Sequence, residues 1–192
     1  METSASLLER LCTSPDEPDW QRLFDVYTPL IRWWIRRYSS SERDAEDVVQ
    51  ETLSVVLRKL PGFQRQRTGS FRAWLRSVTV NCLRDSWRAN RFQAVATGGS
   101  NFRQVLEQMS DPGSELSQLW DREHDDHVLR TLLNQIRPSV SEETWLAFHR
   151  VTVLNESPAE VAERLGISLN AVYIAKSRVM SRLRTEARGL ID

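Results

Sequence analysis

The sequence predicts an all-α protein made of two small helical domains joined by a flexible linker, the C-terminal one a helix-turn-helix. Three observations predict it. Apolar residues recur at helical spacing, as in Trp20, Leu23, Phe24, Tyr27, Ile31, Trp34, Ile35 and Tyr38. The periodicity dissolves between Phe92 and Ser114, where A-T-G-G-S-N and S-D-P-G-S have the composition of a linker. Further on, Ser157-Pro158-Ala159-Glu160, Gly166 and Ser168 set out a capped helix, a stop and a second cap, as a tight helix-turn-helix requires. The expected divisions are residues 1–91, 92–114 and 115–192.

Composition supports folded cores. Forty per cent of the 192 residues are hydrophobic and seven are Trp. Twenty-six basic residues balance twenty-six acidic ones, so net charge identifies no polyanionic partner. The distribution does more. Arg58 to Arg91 holds nine Lys/Arg against Asp85 alone, and Arg164 to Arg188 holds six against Glu186 alone. Between Glu107 and Asp126 the balance reverses to seven acids against Arg122. Such segregation predicts two cationic surfaces separated by an acidic connector. Only Lys59 and Lys176 are Lys; the rest are Arg, whose planar fork suits phosphate and guanine. Cys12 and Cys82 lack metal-ligand spacing. The N-terminus has no basic leader and no apolar run approaches eighteen residues, so a cytoplasmic chain with no membrane contact is expected.

Residues 1–18 predict a weak helix and a turn. The stripe from Trp20 to Tyr38 predicts a helix that Pro29 kinks or splits. An acidic helix follows from a Ser41 cap, with Glu42, Asp44, Glu46, Asp47 and Glu51 in its first turns. The helix dipole accounts for those acids as well as a protein partner does. Pro61-Gly62 stops it, and the loop Phe63–Ser70 carries Arg65 and Arg67. In the next helix Phe71, Trp74, Leu75, Val78 and Cys82 share one face. Arg72, Arg76, Asn81, Arg84, Trp87 and Arg88 fall elsewhere, which predicts a basic, tryptophan-bearing surface able to meet nucleic acid. Trp87, among arginines, is the aromatic expected to be exposed.

A helix is expected from about Glu115 to Ile136, ended by Pro138, and another over Ser141–Leu154. On the first, His124 and His127 stand three apart among carboxylates but lack a third ligand at an orthodox distance for a metal. The last helix is expected to bury Val172, Ala175, Val179 and Leu183 and to expose Asn170, Tyr173, Ile174, Lys176, Ser177, Arg178 and Arg182. A helix bearing those groups suits a major groove, with base edges near its N-terminal half and phosphates near its later Arg.

Three stretches resemble a known family: D-A-E-D-V-V-Q-E-T, G-S-F-R-A-W-L-R and S-P-A-E-V-A-E-R-L-G-I-S-L-N-A-V-Y-I-A-K-S-R-V-M-S-R-L-R. In order and spacing they are similar to bacterial RNA polymerase sigma factors of the extracytoplasmic-function subfamily. The resemblance spans roughly residues 20–91 and 115–188. It implies a promoter-melting domain, a linker and a helix-turn-helix domain. It implies docking on core RNA polymerase through Asp44, Asp47, Gln50 and Glu51. The loop 64–70 and the helix from Phe71 would capture flipped non-template bases, and Tyr173, Ile174, Ser177 and Arg178 would read an upstream promoter element as duplex. The acidic connector would thread the polymerase's active-site and RNA-exit path. Family members often carry a basic residue where Tyr173 stands and a polar one at Ile174, so this chain departs there. An anti-sigma factor is a further partner that the resemblance implies.

The expected function is therefore a non-enzymatic initiation factor with no cofactor and no metal, binding duplex and single-stranded promoter DNA. Two alternatives stay open on the residues alone. One is a helix-turn-helix regulator that binds duplex DNA without being a polymerase subunit. The other is a metal-dependent hydrolase built on His124, His127 and nearby carboxylates.

Overall fold

A computed structural model describes residues 6–39, 41–64, 70–89 and 99–191. Among these residues the fold is all-α. Its helices are α1 (Leu7–Thr13), α2 (Glu17–Tyr38), α3 (Glu42–Lys59), α4 (Ser70–Ala89), α5 (Gly99–Ser110), α6 (Glu115–Ile136), α7 (Glu142–Thr152), α8 (Pro158–Leu165) and α9 (Leu169–Ala187). Short 3-10 turns at Leu60–Gly62 and Arg137–Ser139 follow α3 and α6. No helix among the described residues is long and apolar enough to cross a membrane.

Local chemistry starts most of these helices. The side chains of Ser6, Asp16, Ser41, Ser114, Ser141, Ser157 and Ser168 each accept a hydrogen bond from a first-turn N–H. Each such cap is worth about 1 kcal/mol. At α1 and α8 the cap is reciprocal, since Glu9 and Glu160 accept from the N–H of Ser6 and Ser157. That box, with Leu7, Leu8 and Leu11 buried, makes α1 firmer than its sequence predicts. The helix α2 is not split at Pro29. Val26 and Tyr27 before the proline and Leu30 and Ile31 after it are all buried, so packing on both sides outweighs the roughly 3 kcal/mol that an internal proline costs.

The helix α6 lies at the centre. It buries Trp120, His124, Val128, Leu132 and Ile136 at a spacing of four, against α2 and α4 on one side and α9 on another. The rings of Trp34 and Trp120 stand 4.8 Å apart, and Tyr27 meets Phe71 edge-on at 5.5 Å. Such aromatic pairs add about 0.5–1.5 kcal/mol to the area they bury. The principal core runs from Leu7 through these residues to Val179, Leu183 and Leu190, so residues before and after the expected linker share it. A smaller cluster of Ala147, Val151, Val161, Ala162, Val172 and Ala175 holds α7, α8 and α9 together.

Two expectations need correction. Within the stretch 92–114, expected to be a flexible linker, residues 99–110 form α5, which buries Leu106 and Met109 against the principal core. Phe102, Val105, Leu106 and Met109 recur at helical spacing beneath a Gly- and Ser-rich composition, and that outweighed the composition. The helix α4 also buries more than one face: Arg76, Thr79, Val80 and Leu83 are covered as well as Phe71, Leu75 and Val78. The second stripe arises because α4 is packed between α3 on one side and α5 and α6 on the other.

Gly166 joins α8 to α9 in the left-handed region, with φ 66° and ψ 29°. Its N–H bonds the carbonyl of Glu163, and the Ile167 N–H reaches back to Ala162. A Cβ at Gly166 would meet nothing within 4 Å, so only backbone conformation opposes a side chain there. Gly166→Ala should therefore cost about 1–2 kcal/mol in denaturant unfolding. Gly62→Ala, equally uncrowded and at no positive φ, should cost no such amount; equal losses at both positions would contradict this account of the turn.

Candidate functional site

The acids of α3 fall into two groups. Glu46 turns back to α2, where the Arg32 guanidinium grips it with bonds of 2.7 and 3.1 Å. Hydrogen bonding from Arg32 holds the Glu46 carboxyl below its usual range. Arg36 engages both Glu42 and Glu46. These acids fasten α3 to α2. Asp47, Gln50 and Glu51 instead stand exposed, and Asp44 is half-buried. Glu51 has an exposed neighbour in Arg58 at 3.1 Å, a contact worth little in water. Beside them a groove of about 450 Å³ opens between α3 and α4, lined by Asp47, Glu51, Val55, Lys59, Cys82 and Asp85.

The arginine-bearing helix α4 does not present its cations as a free surface. Arg76, expected off the buried face, is 5% exposed. Its guanidinium reaches Asp121 at 2.5 Å and the Ser117 carbonyl at 3.3 Å, both on α6. Arg72 bridges Asp121 at 3.3 Å and Asp125 at 2.5 Å. Arg84 is half-buried and donates to Ser110 of α5 and to Asn81. Trp87, expected to be the exposed aromatic, is half-buried and packs on Phe102 with ring centres 6.2 Å apart. Residues 72, 76, 80, 83 and 87 form one stripe at spacings of three and four, and α5 and α6 cover it. Asn81 and Arg88 remain exposed. Arg65 and Arg67 lie outside the described residues.

The surface of α9 is different. Val172, Ala175, Val179 and Leu183 are buried. Asn170, Tyr173, Ile174, Lys176, Ser177, Arg178 and Arg182 are all exposed, Tyr173 at 52% and Ile174 at 42%. No ion pair to Lys176, Arg178 or Arg182 occurs among the described residues. The helix thus offers three cations, two aromatic or aliphatic side chains and two small polar groups from a rigid, capped turn.

Neither histidine of the acidic segment stands free to take a metal. His124 is fully buried between Tyr27 and Asp125, with Nδ1 2.9 Å from Asp125 Oδ1 and Nε2 3.3 Å from the Tyr27 hydroxyl. The carboxylate needs a donor, so Nδ1 carries the proton and Nε2 accepts from Tyr27. Burial pushes the His124 pKa down, although the bond to Asp125 opposes it. Burial works against ionisation of Asp125, but hydrogen bonds from His124 and Arg72 prevail and hold its pKa down. His127 donates from Nε2 to the Val26 carbonyl at 2.7 Å.

Sequence reasoning missed two features. Asp121 and Asp125, read as part of an acidic connector, are the counter-charges of Arg72 and Arg76. Their signal was present in the i, i+4 spacing of two acids on a helix whose other face is apolar. The most exposed tryptophan is Trp33, at 47%, with the Arg37 guanidinium 5.1 Å from its ring centre. It stands one residue off the buried Trp34, on the side the apolar stripe leaves to solvent.

Residues 23–93, from within α2 to just past α4, match the family model described as Sigma-70 region 2. Similar curated proteins include the ECF RNA polymerase sigma factor SigF of Caulobacter vibrioides, 29% identical over 83% of this chain and 79% of its own length. BldN of Streptomyces coelicolor, another ECF sigma factor, is 27% identical over 89% and 60%. SigL of Mycobacterium tuberculosis is 29% identical over 88% and 84%. A solved structure of CnrH in complex with the cytosolic domain of CnrY covers 92% of each chain at 20% identity, with a TM-score of 0.37.

The buried imidazole makes stability depend on pH. His124 has a folded pKa below its unfolded value of about 6.5, so its contribution is complete above that pH and is lost as the pH falls below it. The denaturant midpoint should therefore drop between pH 7.5 and 5.5, and His124→Gln should show a smaller drop. An identical pH dependence in the variant would show that His124 stays uncoupled from folding.

Proposed function

We propose that the chain is an extracytoplasmic-function sigma factor, a reading its similarity to those proteins supports, and that it directs transcription initiation with three separate surfaces. The exposed acids of α3, Asp47 and Glu51 with Gln50 and Asp44, dock on core RNA polymerase. The helix α9 lies in the major groove of duplex DNA at an upstream promoter element. The loop before α4, with Arg65 and Arg67, and the polar residues of α4 hold bases of the melted downstream element.

The observation that carries this reading is the geometry of α9. One face is packed into the core, and all seven residues proposed to meet DNA are exposed on the other. Exposure of Lys176, Arg178 and Arg182 without internal counter-charge leaves them available to phosphate and guanine. Tyr173 and Ile174 add apolar contact, which suits a thymine methyl. The separation of α3 acids supports the docking role: Glu42 and Glu46 are engaged by α2, and Asp47, Gln50 and Glu51 are exposed. An anti-sigma factor, implied by the family resemblance, is the remaining proposed protein partner.

Run-off transcription with purified core polymerase tests the reading. Promoter-specific initiation should appear only when this chain is added. Arg178→Ala should weaken recognition at one upstream position by about 1–3 kcal/mol. Asp47→Ala combined with Glu51→Ala should weaken binding to core polymerase and leave binding to isolated duplex unchanged. Loss of the same activity to the same degree in both variants would refute the division of labour.

A further inference from the structure

The apolar surface that the fold leaves uncovered is concentrated at the start of α9. Of the eight large hydrophobic residues exposed among the described residues, three fall close together there: Leu169, at 44%, with Tyr173 and Ile174. The backbone cannot turn them inward. Ser168 caps the helix through the Ala171 N–H at 3.1 Å, and Val172, Ala175 and Val179 occupy the buried side. None of the three belongs to either apolar cluster of the described residues. Around them stand Asn170, Lys176, Ser177, Arg178 and Arg182, all exposed. An apolar patch set among cations fits a polyanion that itself carries apolar groups. The major groove of duplex DNA offers one such group, the methyl at C5 of thymine.

We propose that Ile174, flanked by Tyr173, reads a 5-methylpyrimidine in the upstream element, so that the contact recognises a methyl group and not a hydrogen-bond pattern. The inference rests on the duplex-reading role proposed above for α9 and specifies what that helix reads. Isoleucine has neither donor nor acceptor, so it does not distinguish the O4 of thymine from the N4 amine of cytosine. The Tyr173 hydroxyl both donates and accepts, and so accommodates either. What is left to discriminate is the methyl carbon, whose transfer from water to an apolar contact is worth about fourfold in affinity. The placement of Ile174 agrees with this. It lies in the second turn of α9, in the half of a groove-bound helix nearest the base edges. Asn170 is one turn before it and Arg178 one turn after. Those neighbours can hydrogen-bond adjacent bases, which holds the apolar contact in register. Thymine and 5-methylcytosine present the same methyl at the same place. Recognition at this position therefore responds to methylation of cytosine, while uracil and unmethylated cytosine both lose the contact.

The test uses holoenzyme assembled from core polymerase and this chain, with duplexes first selected from a library randomised across the upstream element. Each thymine of the selected element is then replaced by deoxyuridine, which removes only the methyl, and binding is compared by competition. At one or two positions deoxyuridine should weaken binding about fourfold. Ile174→Ala, at an exposed position where alanine favours the helix, should bind the thymine and deoxyuridine duplexes equally. Ile174→Leu keeps the apolar bulk and should keep the preference. At the same position, 5-methylcytosine paired with guanine should bind about fourfold more tightly than cytosine. Equal binding of those two overturns methyl reading. So does an element indifferent to deoxyuridine throughout, or a methyl preference that survives Ile174→Ala. A loss in Ile174→Ala that is the same on every duplex assigns the residue to a protein contact and overturns the inference too. Should the holoenzyme select no upstream sequence at all, the function proposed above fails; a selected element without methyl dependence sinks this inference alone.

Discussion

The way this chain presents charge depends on one helix that is apolar towards α2 and acidic towards α4. Residues 115–136 insert Trp120 beside Trp34 and set Asp121 and Asp125 against Arg72 and Arg76. The two faces need each other. A guanidinium as buried as that of Arg76 is tolerable only with a counter-charge, and removing one partner of a buried pair costs about 3–5 kcal/mol. The carboxylate ends here are about one-third exposed, which brings these pairs to the low end of that range. The aromatic contact supplies attachment with no electrostatic demand, and the ion pairs fix which face of α4 is met. Neither would specify the seam alone.

Much of this was legible in residues that act locally. The caps at Ser41 and Ser168, the capping box at Ser157 and the glycine at the left-handed turn are decided within four positions of chain, so their effect could be read directly; the box of Ser6 and Glu9 is equally local and was missed. The exposed residues of α9 follow from the same local pattern, because its buried stripe is uninterrupted and purely apolar. The second buried stripe of α4 was hidden by chemistry. Arg72 and Arg76 look like solvent-facing residues, and only the acids of a helix more than forty residues away make their burial favourable; Thr79 is covered with its hydroxyl bonded to the Leu75 carbonyl. Trp87 was misplaced for the same reason, since its partner Phe102 sits in a segment whose glycines and serines suggested no helix. Pattern reading treats each helix as having one inside, and α4 has two.

The acidic helix shows how a shared composition separates into different roles once packing is known. Glu42 and Glu46 point to the arginines of α2, and Asp47 and Glu51 point away. Helix periodicity alone places residues 42 and 46 on one side and 47 and 51 on another. What it could not supply was which side meets α2. That follows from Val48, Val49, Thr52 and Val56, which lie between the two groups and are buried.

The cross-half pairing also bears on where the molecule resides before it acts. Chromosomal DNA offers a vast excess of phosphate at which any exposed arginine cluster is retained, with an affinity set by the number of cations displacing counterions. Folding several of its arginines onto its own carboxylates reduces that number, while Lys176, Arg178 and Arg182 of α9 stay exposed. In a chain of zero formal charge, that pairing leaves fewer cations to displace counterions from DNA. An arginine already held by a carboxylate of its own chain draws fewer passing phosphates than an exposed one.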